Sequence, residues 1–245
     1  MSDGTTACVI FGAGSYYDES PLIENGAFVV AADGGYDHAR SLGITPDVAI
    51  GDFDSIAQVP DATSTIALPA LKDETDMPQA VKVGWDRGIR VFRIYGGLGG
   101  RLDHALANLQ LLADIAQHGG IGFLHGDGTV ATAITNGELR FPANQVAERR
   151  MVSAFAHSDR ALGVTIRGLK YETRSVDWVN SHALGVSNEF LPGVPSSIAV
   201  EEGTLIVTYP AEAPTPEWST SVRPARSFGR IDDHESALLS PLFHR

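Results

Sequence analysis

Val48-Ala49-Ile50-Gly51-Asp52-Phe53-Asp54-Ser55 is an apolar run that stops at a glycine and breaks into acids. The run reads as the end of a buried strand, and a glycine at its exit permits a tight turn. Asp52 and Asp54 lie two residues apart. In extended chain, positions i and i+2 point to the same side. Both carboxylates can therefore face one point beyond the edge of a sheet. Like charges that close repel each other unless a cation lies between them, and a hard ion such as Mg²⁺ suits carboxylate oxygens. A solvated acidic turn has the same pattern, so this segment alone leaves both readings open.

Upstream, residues 6–11 form a β-rich run that ends at Gly12-Ala13-Gly14. The third glycine of a dinucleotide fingerprint is missing, with Tyr17 in its place, so the pair reads as a strand-exit turn. Residues 28–32 read as a second strand ending at Asp33-Gly34-Gly35, followed by a helix that Gly43 stops. Downstream, residues 64–68 read as a fourth strand. Lys72-Asp73-Glu74-Thr75-Asp76 then leads into a helix, with Asp76 and Gln79 at the spacing of a capping pair. Residues 90–95 read as a fifth strand, and Gly96-Gly97-Leu98-Gly99-Gly100-Arg101 opens a long helix. Leu102, Ala105, Leu106, Leu109, Leu112 and Ala116 recur on it at helical spacing. A glycine-rich loop at a helix start exposes backbone N–H groups beside the positive end of the helix dipole, which suits an anion. Strands alternating with helices imply a parallel sheet, and ligands of such sheets collect at the carboxyl ends of the strands.

The pattern changes after a strand at residues 121–125. Residues 129–210 carry short β-rich runs separated by turn signals such as Asn136-Gly137, Pro192-Gly193 and Glu202-Gly203, which reads as an antiparallel sandwich. The expected organisation is a Rossmann-like α/β domain over residues 1–140 and a β-sandwich over 141–210. A mobile tail rich in Pro, Ser and charge is expected over 211–245.

Net charge is −12, which argues against a nucleic-acid binder. Cys8 is the only cysteine, so no internal disulfide forms, and its apolar context reads as inert. No apolar run approaches the roughly 20 residues of a membrane span, and the amino terminus lacks the pattern of a secretory signal. A cytoplasmic protein is expected.

Taken in order, the Asp33-Gly34-Gly35, Pro46-Asp47, 51–55, 72–76 and 96–104 turns form a series with Asn108. Gly168-Leu169-Lys170-Tyr171 and Gly185-Val186-Ser187-Asn188-Glu189 continue it. This series resembles the thiamine pyrophosphokinase (thiamine diphosphokinase) family, from about residue 9 to 209. The resemblance implies an enzyme that moves the β,γ-diphosphate of ATP onto the hydroxyethyl oxygen of thiamine, giving thiamine diphosphate and AMP. It implies a homodimer whose active sites lie between the α/β domain of one chain and the sandwich of the other. Asp52, Asp54 and Asp76 are then the expected Mg²⁺ ligands, with Asp33 and Asp103 as further acids of the pocket. Gly97, Gly99, Gly100, Arg101, His104 and Asn108 are the expected nucleotide cradle, with Gly34 beside Asp33. Ser187 and Asn188 resemble the thiamine-contacting turn. Tyr171 stands where the family often has tryptophan.

With only three lysines in an acidic chain, Lys72 and Arg101 are the side chains expected to meet phosphate. Asp54 or Asp76 is the expected partner of the hydroxyl proton. His125, at a strand end, is a further candidate. Rival readings are transfer to another hydroxymethyl acceptor such as a pterin, a non-catalytic nucleotide or thiamine sensor, and a metal-dependent phosphohydrolase.

Overall fold

Cys8-Val9-Ile10-Phe11 is buried at every position, the mark of a strand covered on both faces of a parallel sheet. In the computed structural model, which describes residues 7–17, 20–53, 62–70 and 72–235, this strand, β1 (Cys8–Phe11), lies inside a parallel array. The array contains β2 (Phe28–Ala32), β3 (Val48–Gly51), β4 (Ser64–Ala67), β5 (Val91–Tyr95) and β6 (Ile121–Gly126). The spatial order is β4-β3-β2-β1-β5-β6. The chain builds outward from β1 on one side, then returns to its other side with β5. The direction of winding reverses between β1 and β5, and in open α/β sheets a crevice forms outside the strand ends at such a point.

The described residues contain three helices: α1 (Gly35–Ser41), α2 (Asp76–Asp86) and α3 (Leu102–Gln117). Alternation along the strands divides their contacts. Cys8, Ile10, Val30, Ile50, Phe92 and Ile94 face a core shared with Val81 and Trp85 of α2 and with Leu112 and Ile115 of α3. Val9, Phe11, Val29 and Tyr95 point to the opposite face, where Ala39 of α1 packs. Burial drives the Cys8 thiol far above its ordinary range, in keeping with an inert side chain.

A hairpin turns β6 into β7 (Thr129–Phe141), which pairs antiparallel with it. Beyond β7 come β8 (Met151–Ala156), β9 (Arg160–Arg167), β10 (Thr173–Val179), β11 (Gly185–Glu189) and β12 (Ser196–Pro210). Their inner residues form a second core around Trp178, Phe141, Tyr209 and Leu205. The result is a mixed α/β, sheet-rich fold in which the described strands form one hydrogen-bonded network.

Two of the expected turns are not turns between strands. Asn136-Gly137 and Glu202-Gly203 lie within β7 and β12, which pair along nearly their whole length with a register shift between Val200 and Thr204. The Gly203 N–H donates to the Asn136 side chain (2.8 Å), and Asn136 and Gly203 both have positive φ (45° and 108°). A bulge bends its strand. Here the bulge lets β12 pair with β9 before it and with β8 after it.

Residues 211–235 do not stand off as a free tail. β13 (Glu217–Thr220) adds to β7, and Phe228 is buried in the α2/α3 core. The sequence hid this docking because the anchoring apolar residues are widely spaced among polar ones. Among the described residues no helix is long and apolar enough to cross a membrane.

Candidate active site

Two strand-exit turns meet where the winding reverses. The Gly12 N–H donates to the Tyr95 carbonyl and the Gly14 N–H to the Gly96 carbonyl, both at 2.8 Å. A Cβ on Gly14 would lie 2.5 Å from the Gly96 oxygen, so glycine is required by the close approach of two backbones. Gly96, Gly99 and Gly100 have φ of 68°, 94° and 70°, a region that glycine enters without steric cost. The loop is fastened from below: buried Asn108 donates from Nδ2 to the Gly97 carbonyl at 2.7 Å.

A cavity of about 480 Å³ opens at this junction. Gly12, Gly14, Ser15, Gly97, Gly99, Gly100, Arg101, His104 and Asn108 line one part, and Asp33, Thr75, Asp76 and Met77 line the other. The motifs read from the sequence thus converge. Ser15 and Met77 were missed; Met77 reads as an ordinary core residue, and Ser15 carries no motif of its own.

The acids sit on adjacent strand ends. The Asp33 N–H donates to the Ile50 carbonyl (2.8 Å), and Gly51 lies so close that a Cβ there would be 3.1 Å from the Asp33 backbone. This brings the β2 and β3 exits together. Lys72 joins the acids, its ammonium 3.7 Å from Asp52 Oδ2 and 3.2 Å from Asp76 Oδ1. Burial raises the Asp76 pKa above the usual carboxylate value; Lys72 counters that shift, and the charges of Asp33 and Asp52 add to it. Asp76 is not a helix cap. It is the first residue of α2, and Thr75 at the cap position makes no side-chain capping hydrogen bond among the described residues. The helix begins one residue earlier than the capping pair requires, so Asp76 turns to Lys72.

Asp54 lies outside the described residues. Among the described residues no three acids or imidazoles converge as a metal-binding group. Asp52 and Asp76 supply hard oxygen donors held around one cationic centre, the Lys72 ammonium, and this donor set fits a divalent ion.

Other candidates stand apart from the cavity. Asp103 is exposed and clasped by Arg101 through Nε (3.1 Å) and a terminal nitrogen (2.6 Å), and that hydrogen-bonded partner lowers its pKa to about 2. Gly34 does not line the cavity and occupies the cap position of α1. His125 stacks on Tyr95 with ring centroids 4.6 Å apart; burial, then Arg93, lowers its pKa to about 4.

Ser187 and Asn188 lie on β11, whereas the described lining residues fall between Gly12 and Asn108. Asn188 is buried, accepting from the Tyr171 N–H (3.0 Å) and donating to the Tyr171 carbonyl (2.7 Å). It fixes the turn that presents Tyr171, which is 61% exposed.

A parallel sheet with a glycine cradle and clustered acids at its carboxyl edge defines an α/β catalytic domain. Residues 20–121 match the family described as thiamin pyrophosphokinase, catalytic domain. The chain is 28% identical over 169 residues to thiamine pyrophosphokinase from Bacillus subtilis (strain 168), covering 66% of this chain and 78% of that protein. Its fold matches thiamin pyrophosphokinase from Geobacillus thermodenitrificans with a TM-score of 0.71 and 26% identity, over 84% of this chain and 98% of that one. The enzyme from Candida albicans shares the fold at a TM-score of 0.67 and 14% identity, over 84% and 89% of the two chains. The catalytic-domain match, the sequence relative and the solved folds agree in making this chain similar to thiamin pyrophosphokinases.

Proposed function

We propose that the protein is a thiamine diphosphokinase, transferring the β,γ-diphosphate of ATP to the hydroxyethyl oxygen of thiamine with release of AMP. The observation that carries this reading is the shared cavity, with glycine amides and Arg101 on one side and Asp33, Asp76 and Thr75 on the other. Transfer of this kind needs positioning and charge neutralisation more than covalent work. The glycine loop and the start of α3 offer backbone N–H groups to phosphate oxygens. Arg101 adds a cation at the rim, and Lys72 adds one at the acidic edge. Asp76 has a raised pKa, which suits it to orient or accept the hydroxyl proton.

Asp52 and Asp76, with Asp54, would hold Mg²⁺. That ion, when bound, would neutralise phosphate charge. The acidic pocket also favours the cationic thiazolium ring of thiamine.

Residues 1–140 would form the nucleotide-binding half and 141–210 a thiamine-binding sandwich, in a cytoplasmic homodimer. Ser187 and Asn188 would then serve the cavity of the second copy. Support comes from their absence from the described lining of their own chain's cavity and from the exposed apolar side chains Tyr171, Leu184 and Val186 near them in sequence. The test is AMP release from ATP with Mg²⁺, run with and without thiamine. Thiamine-dependent AMP release is expected; equal release without thiamine would overturn the assignment.

A further inference from the structure

We propose that residues 225–232 brace the turn carrying Lys72 and Asp76, with Asp232 and Gln79 as positioning residues. The segment is anchored first on the helices. The Ala225 N–H donates to the His118 carbonyl (2.8 Å), while Trp85 Nε1 and the Arg90 guanidinium donate to the Ala225 carbonyl at 3.0 and 3.1 Å. The Phe228 ring packs 5.1 Å from Trp85 and 4.8 Å from His118, centroid to centroid.

The chain then runs to the start of α2, where the contacts become polar. The Asp73 N–H donates to Asp232 Oδ2 at 2.8 Å, and the Asp232 N–H donates to Gln79 Oε1 at 2.9 Å. Gln79 is fully buried and donates from Nε2 to Glu74 Oε2 at 2.8 Å. Lys82 pairs with the same Glu74 oxygen. Gln79 therefore links the tail to the 72–76 turn, and Asp232 grips that turn by its backbone. Both contacts flank residues whose side chains meet in the acidic edge: Lys72 beside Asp73, and Asp76 two residues beyond Glu74. Small displacements of such groups are costly to catalysis.

The effect on turnover rests on the diphosphokinase reading; the effect on the turn does not. The test compares full-length wild type with Asp232→Ala and Asp232→Asn. Asp232 is partly exposed, so both variants are expected to fold, checked by circular dichroism. In Asp232→Ala, hydrogen exchange at the Asp73 amide should rise roughly tenfold, as for loss of one charge-assisted hydrogen bond. Its kcat for AMP release should fall about threefold or more with KM for thiamine unchanged. Asp232→Asn keeps a side-chain oxygen acceptor and should restore both. Unchanged exchange in Asp232→Ala, or raised exchange with unchanged kcat, would overturn the brace. Wild type that releases no thiamine-dependent AMP would remove the diphosphokinase reading, while the exchange comparison would still decide whether Asp232 holds the turn.

Discussion

Lys72 places its ammonium 3.2 Å from Asp76 Oδ1, on a side chain that is only 7% exposed. Burial still outweighs this pairing and raises the Asp76 pKa. The folded state therefore holds the Asp76 proton more tightly than the unfolded chain does. Its contribution to stability is most favourable below the ordinary carboxylate pKa and declines as pH rises through the raised value. Asp76→Asn should thus keep or raise the thermal midpoint at pH 7, since Lys72 retains Asp52. The same change should cut AMP release by roughly a hundredfold or more. Activity within a few-fold of wild type would remove Asp76 from the chemistry.

Lys72→Met removes the charge that holds the Asp76 pKa down. The acid limb of the pH–rate profile should move to higher pH, and turnover at neutral pH should fall about tenfold, as expected when a charge-assisted contact is lost. A profile with an unmoved acid limb would show that Asp76 ionisation does not govern the rate.

Gly14→Ala would set a Cβ 2.5 Å from the Gly96 carbonyl oxygen, a backbone atom that cannot swing away. The cost should be about 1–3 kcal/mol in urea unfolding. Equal stability of Gly14→Ala and wild type would contradict the close contact of the two turns.

Asn108→Ala leaves the Gly97 carbonyl without its buried donor. A loss of about 1–3 kcal/mol is expected, together with a raised KM for ATP as the glycine loop loosens. A raised KM for thiamine with that for ATP unchanged would put the loop on the wrong substrate.

The local signals in the α/β half mark where its strands end. Apolar runs closed by glycine or acid marked its strand exits, and those exits converge because a parallel sheet aligns its carboxyl ends. Asp33, Asp76 and the 96–101 loop could therefore be grouped from sequence alone. Lys72 was legible only as a cation in an acidic chain; its position between Asp52 and Asp76 depends on where the 72–76 turn folds back. In the other half, local chemistry misled. Asn136-Gly137 and Glu202-Gly203 have the composition of hairpin turns, and pairing between distant strands converted them into a bulge. Gln79 has the spacing of a capping partner, yet it reaches Glu74 and the main chain of Asp232, 153 positions away.

The hairpin from β6 to β7 carries ladder pairing from Gly126↔Thr129 to Phe123↔Thr132. Among the described residues, backbone bonding runs through the join between the parallel array and the antiparallel strands. A clamshell closing of this chain would tear that ladder. A frame bonded in this way would favour tightening at the loops of the sheet's carboxyl edge over a hinge between the two cores.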